Sequence, residues 1–539
     1  MTYENKINIY KNNANELKPY SIQSLILESL KRSFTSSQIN IYDISQKKYP
    51  GVHFFLECTS DNATNNLREL LEINNNKIIL SGKLNRWMQK LLNINILGNK
   101  FPFEEPKPAN SLSPSVSNSN LKFNYKFNYL KQFKDVLKER PIWRFDFELE
   151  WNNSFSGNII DKHEILNLSH YCSNNNNSNN VVYIMNSNEE KIPLIAEFFI
   201  GQNVLIWVNR NLSLIDLPEW KIIEEFISNG YFNKYPCIPY VSEFSSSENG
   251  LITMRLDCDE DIESARKIYT LYKSYNLPIS LAITTNQIEN KESISSLPRE
   301  VYDYGGTILN HSHSHPINWG EKKDIISKEI ELSTKLIKKA YNITTKYAVS
   351  PFHHLTIEAI NILNQQNYKG VVAGICSSHH EFLIVKGGTI NKELNILLHS
   401  QQCMVHGDCL TEKRSLDDYL NNFYYFSKIG YSVGFLDHPI SKRYDYGWKE
   451  PQRQINTHKQ IIEFLLFKNI KFISQREIFE RLKAKDELNI DILKKDDAQD
   501  IFIKNDSKFY LSISIGGKRY DCKPLKITKL KVRKNLNLL

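Results

Sequence analysis

Cysteine is scarce and unorganised in this chain: eight among 539 residues, with no C-x-x-C pair and no regular spacing. A disulfide framework is thereby excluded, and scattered reduced thiols of the kind a cytosol maintains are expected. Also missing is any run near ~18 consecutive apolar residues, so no membrane-spanning helix is expected. Met1 to Leu17 is polar and holds no apolar core. It does not read as a secretory signal, and the expected location is cytoplasmic. No repeat of fixed period occurs, which removes repeat architectures. Acids vanish from the last stretch, where Lys523, Lys526, Lys529, Lys531, Arg533 and Lys534 stand without one. Such a tail can meet an acidic surface, but it equally suits a solvated edge strand guarded by lysines. No nucleic-acid-binding module accompanies it, so nucleic acid is not an expected partner.

What is present is the composition of a folded chain: 41% hydrophobic, 12% aromatic and 24% charged, with a net charge of +8. The length suggests about three domains. Residues 101–120 are rich in Pro, Ser and Asn, 173–180 are nearly pure Asn and Ser, and 235–249 carry Pro236, Pro239 and three consecutive serines. These breaks predict an α/β domain over 1–100, a mixed α/β region over 121–240 that can continue it, a third domain over 247–485, and a small β-rich appendage over 490–539. No catalytic constellation stands out in residues 1–240. Asp146, Glu148 and Glu150 alternate on one predicted strand face, as a solvated edge or a cation site would.

After Ser246 the pattern becomes regular. Strands are predicted at 251–256, 279–285, 307–309, 347–349, 370–373, 395–398, 432–436 and 470–473, with helices between them. Alternation over about 230 residues predicts a parallel (β/α) barrel or a distorted version of one. In such folds the chemistry collects at the C-terminal ends of the strands.

Three polar clusters fall there. Arg255-Leu256-Asp257-Cys258-Asp259 ends the first strand, and residues two apart on an extended backbone point the same way. Both carboxylates can therefore reach one site, although Asp259 and Asp261 also precede a helix and suit its capping. His311-Ser312-His313-Ser314-His315-Pro316 follows the third strand. Imidazoles and carboxylates together suit Zn²⁺, and also Fe²⁺, Co²⁺ or Ni²⁺; spacing alone does not say which two histidines bind. Phe435-Leu436-Asp437-His438-Pro439 closes a late strand. Between Cys376 and Cys409, His379, His380, His399 and His406 form an unusual section in which His399 is the best further site residue.

These pieces, in this order, resemble the polysaccharide deacetylase (NodB-homology, carbohydrate esterase 4-like) family over residues 251–482. The family's His-[Ser/Thr]-x-x-His-Pro motif is matched by His311, Ser312, His315 and Pro316, and its Leu-x-His motif by Leu436 and His438. The first motif is similar to an Arg-Ile-Asp-Val-Asp variant. Where the third motif has Arg-x-Pro-[Tyr/Phe/Trp], this chain has Val349-Ser350-Pro351-Phe352, without the arginine that orients the base. Arg255 is the candidate substitute. The resemblance implies Asp257 as base, Asp259, His311 and His315 as metal ligands, and His438 as acid. It makes Pro351 and Phe352 substrate contacts; His353 and His354 follow directly with no counterpart in the pattern, as substrate contacts, His353 first, or as surface-loop residues. The expected activity is metal-dependent removal of an acetyl or similar acyl group from a sugar of a glycan or glycan precursor, in surface polysaccharide biosynthesis. The alternative is a decayed member that binds carbohydrate or serves assembly.

Overall fold

The computed structural model describes residues 5–10, 22–41, 49–98, 121–124, 126–134, 144–145, 153–154, 168–174, 179–185, 189–210, 217–289, 294–320, 322–353, 355–373, 386–389, 393–400, 403–408, 410, 416–494 and 498–533. The 101–120 segment, Asp146, Glu148, Glu150, His354, Cys376, His379, His380, Cys409 and Lys534 lie outside the described residues.

Strands from both sides of the 101–120 segment share one eight-stranded mixed sheet. Lys77–Ser81 pairs in parallel with Asn203–Val208, which is the join between the two stretches. Asn203–Val208 is buried along its whole length, as its unbroken apolar run requires. Residues 235–249 do more than connect. Tyr240–Ser242 within them pairs antiparallel with Leu511–Ile515 of the C-terminal β region, which ties that region to the entrance of the barrel. Lys526–Arg533 is an edge strand of the sheet it forms with 489–494 and 498–505, and its lysines lie exposed.

The second large sheet carries the barrel. Its strands are β1 (Gly250–Cys258), β2 (Ser280–Ile283), β3 (Thr307–Asn310), β4 (Tyr347–Val349), β5 (Gly370–Ala373), β6 (Leu397–Ser400), β7 (Cys403–Met404), β8 (Val433–Asp437) and β9 (Ile470–Ile473). The order is β6-β5-β4-β3-β2-β1-β8-β7, all parallel, with β9 on β1. Among the described residues no ladder joins β6 to β7, so the barrel is distorted and open at that seam. β9 pairs with the first half of β1 while β2 pairs with its second half, an end-to-end arrangement along β1.

Helix Gln475–Asp486 then crosses the N-terminal ends of the strands. Ser474 caps it by accepting from Glu477 N, and Gln475 N donates to Ser280 Oγ of β2 at 3.0 Å. Its Phe479 stacks on Tyr347 and lies so close to Gly370 that a Cβ there would sit 2.6 Å from the ring. One end of the barrel is thus sealed by apolar packing. The opposite end, where the strands finish, is left for polar side chains.

Candidate active site

β1 sorts its residues by alternation. Ile252, Met254, Leu256 and Cys258 join the main apolar cluster that includes Ile268 and Tyr272 of the following helix. Arg255 and Asp257 take the other face. Burial pushes the Cys258 thiol well above its ordinary value, which keeps it neutral and makes it an apolar filler beside the two acids.

On the inner face Arg255 grips Asp257 with two parallel bonds, Nε to Oδ1 at 2.5 Å and Nη2 to Oδ2 at 3.0 Å. Both side chains are 2% exposed, so this is a buried bidentate ion pair. Burial alone would raise the Asp257 carboxyl, but Arg255 and His311 outweigh it and hold it down to about 2. Val349 stands where the third motif's arginine is missing, and Arg255 sets a guanidinium against Asp257 from the same strand.

The loop after β3 is shaped by its serines as much as by its histidines. Ser312 adopts a left-handed backbone, φ 66°, held by its N–H on Asn310 Oδ1 at 2.9 Å. Its hydroxyl accepts from His315 N at 3.0 Å and so folds His315 back over His311. Glu329 secures the loop by accepting from His313 N, Ser314 N and Ser314 Oγ at 2.8, 2.7 and 2.7 Å. His313 turns away to Thr285 and Glu289. Of the three histidines, His311 and His315 converge and His313 does not.

His311 engages Val349 O through Nδ1 at 3.1 Å, which aims its Nε2 inward. That Nε2 lies 3.1 Å from His315 Nε2 and 3.4 Å from Asp259 Oδ1, while His315 Nε2 lies 3.9 Å from the same oxygen. Ligands about 2.0–2.1 Å from a tetrahedral cation stand about 3.3–3.4 Å apart, close to the first two of these separations. Asp259 Oδ1 is buried without a hydrogen-bond partner, and these three residues bring one donor atom each to within 4.8 Å of one another. Burial first, and then the neighbouring His311, pull His315 down to about 4, so it is the neutral imidazole a ligand must be. Burial also opposes charge on His311, but Asp257 and Asp259 override it and raise that residue. The donor set fits a divalent cation.

His438 faces the same point from β8, with Nε2 3.2 Å from Asp259 Oδ2. Tyr446 stacks on its ring at 4.3 Å and 21°. Beneath it, Asp437 accepts from His438 N (2.7 Å), Trp448 Nε1 (3.1 Å) and Gln454 Nε2 (2.6 Å), and it contacts His458 Nε2 at 2.9 Å. The buried carboxylate thus fixes the end of β8 from below.

Phe352, itself left-handed at φ 51°, sets its ring 4.5 Å from that of His315, and Pro351 beside it is buried. The His353 side chain lies outside the described residues. His399 departs from expectation. It sits in the barrel interior with Nδ1 on Gln475 Nε2 at 2.9 Å, beside Gly434 and Phe479, rather than among the cluster. The apolar strand before it buries the ring, and burial holds it down to about 4. His406, passed over in favour of His399, is the one that reaches His438. The sequence set it in the same histidine-rich section as His399 and carried no signal that singled it out.

Residues 256–371 match the family model described as polysaccharide deacetylase. No curated protein matches the chain. Among solved structures, similarity is found to the Xyl-CE4 domain of a multidomain xylanase from the hindgut metagenome of Trinervitermes trinervoides, at 15% identity and a TM-score of 0.31, covering 44% of this chain and 92% of that one. A family 4 acetyl xylan esterase from Clostridium thermocellum in complex with a cobalt ion is 16% identical, with a TM-score of 0.30 and coverage of 42% and 90%. A family 4 carbohydrate esterase from Streptomyces lividans in complex with acetate is 15% identical, with a TM-score of 0.28 and coverage of 42% and 92%. The matched segment runs from the second half of β1 into β5, so it is the barrel that carries the similarity to the polysaccharide deacetylase family.

Proposed function

We propose that this chain is a metal-dependent hydrolase that removes an N-acetyl group from a sugar of a glycan or glycan precursor. The observation that carries the proposal is the convergence of Asp259, His311 and His315 between a carboxylate, Asp257, and an imidazole, His438. Asp259, His311 and His315 are the proposed ligands. They would hold a divalent cation, Zn²⁺ being the first candidate, which would supply polarisation of the amide carbonyl and a more acidic water.

The chain's own groups do the rest. Asp257, kept ionised by Arg255, accepts the proton of the attacking water. His438 gives a proton from Nε2 to the departing amine nitrogen as the carbon–nitrogen bond breaks. Tyr446 and Phe352 flank the mouth and limit access to the two imidazoles they cover. Acetate and a free amino sugar are the products, and surface polysaccharide biosynthesis is the proposed setting.

Metal analysis of the purified protein and acetate release from a β-1,4-linked N-acetylglucosamine oligomer test this reading. His311→Ala and His315→Ala are expected to lose metal and activity together. Asp257→Asn is expected to keep the metal and lose turnover by about 100-fold or more; metal loss equal to that of the histidine variants would sink the role given to Asp257. Bound metal with no release from any acetylated glycan would leave a carbohydrate-binding module in place of an enzyme.

A further inference from the structure

His406 is a buried histidine that the hydrolysis above leaves idle. Parallel pairing of β7 with β8 matches Met404 to Leu436, and Val405 N donates to Leu436 O at 2.8 Å. Two residues further along each strand, His406 and His438 stand side by side. His406 Nε2 lies 2.5 Å from His438 Nδ1, with the rings 4.6 Å apart and inclined at 68°. That edge-on approach aligns an N–H with a lone pair. Stacked faces would do neither. Tyr446 packs against both rings, and Asp437 Oδ1 stands 3.9 Å from His406 Nε2.

We infer that His406 is the positioning residue of the acid: its Nε2 accepts the Nδ1–H of His438, so the one transferable proton of His438 is that on Nε2. The inference rests on the hydrolytic reading and deepens it. An imidazole held only by stacking rotates about χ2 and exchanges its two nitrogens, and only one orientation presents Nε2–H to the leaving group. His406 removes that freedom. The proton balance closes. The ring starts with hydrogens on both nitrogens, the Nε2 proton leaves with the amine, and the remaining proton stays on Nδ1 against His406. The proton that water loses resides meanwhile on Asp257.

The test compares two substrates on the full chain: a β-1,4-linked N-acetylglucosamine tetramer, whose amine must be protonated to leave, and 4-nitrophenyl acetate, whose phenolate leaves unaided. His406→Phe keeps the ring and removes the acceptor. It is expected to lower kcat for the tetramer by about 100-fold, in the range of one lost proton-transfer partner, with KM and the aryl acetate rate unchanged. His406→Asn restores an acceptor oxygen and is expected to recover most of the lost amide turnover. Equal loss on both substrates, no loss on the tetramer, or an Asn variant as poor as the Phe variant overturns the assignment. Wild-type protein that hydrolyses neither substrate removes the hydrolytic reading beneath it.

Discussion

At the scale of single residues, Arg255 shows how one chemical need can be met from a different place in the chain. The proposed base, Asp257, has a guanidinium beside it because an alternating strand puts residue 255 on the same face as residue 257. Because both charges are buried, taking one away leaves the other uncompensated. Arg255→Met is expected to cost about 3–5 kcal/mol of stability and to depress turnover, read from denaturant melts and acetate release. Arg255→Lys keeps a charge without the planar fork, so it should retain more stability than turnover. A methionine variant as stable as wild type would show that the pair is not the buried contact described. Ser312 teaches a related lesson, since the serine between the histidines folds the loop that lets them meet.

At the scale of elements, strand ends and the loops after them carry the site, and close backbone approach holds them together. Gly407 follows His406 and lies against the 446–448 loop, where an added Cβ would stand 2.1 Å from Gly447 C. Gly407→Ala must therefore push the His406 turn away from the loop that carries Tyr446. The expected cost is about 1–3 kcal/mol, as for other overpacked sites. Amide turnover should fall with it, since the Tyr446 and His406 contacts on His438 loosen together. Thermal melts with parallel tetramer assays check this, and unchanged turnover would mean that the two loops are not jointly needed. Gly434 plays a similar part inside the barrel, where Thr253 and His399 leave no room for a side chain.

At the scale of the whole molecule, the N-terminal sheet and the barrel are joined by buried charges. Glu224 accepts from Ser33 Oγ at 2.6 Å and pairs with Lys386 and Lys221, while Glu243 pairs with Lys485 at 3.1 Å and accepts from Ser432. Within the N-terminal sheet Glu197 accepts from Tyr129 and Tyr231. Burial outweighs those donors and raises its carboxyl to about 7. The folded chain therefore holds a proton between pH 4.5 and about 7 that the unfolded chain has lost. Its contribution is fully present below pH 4.5 and disappears as pH rises through about 7. Stability should drop by about 3 kcal/mol across that window. Denaturant midpoints at pH 5 and pH 8 measure it; Glu197→Gln should flatten the difference, and an equal slope in that variant would assign the effect elsewhere.

The sequence by itself determined the barrel's rhythm and the clusters that end its strands. Unbroken apolar runs such as 204–208 and 347–349 suit strands buried on both faces. His-Ser-x-x-His-Pro carries its own turn chemistry, so its place in the site was legible too. Tertiary structure decided what no local pattern encodes. Strand register placed His406, and not His399, against His438, since a two-residue strand has too little periodicity to be read. Partners distant in sequence, such as Asp437 with His458, meet only when helix 451–467 packs on the barrel. The same holds for the first cluster. Alternation put Arg255, Asp257 and Asp259 on one face, but only the assembled barrel brought His438 onto Asp259.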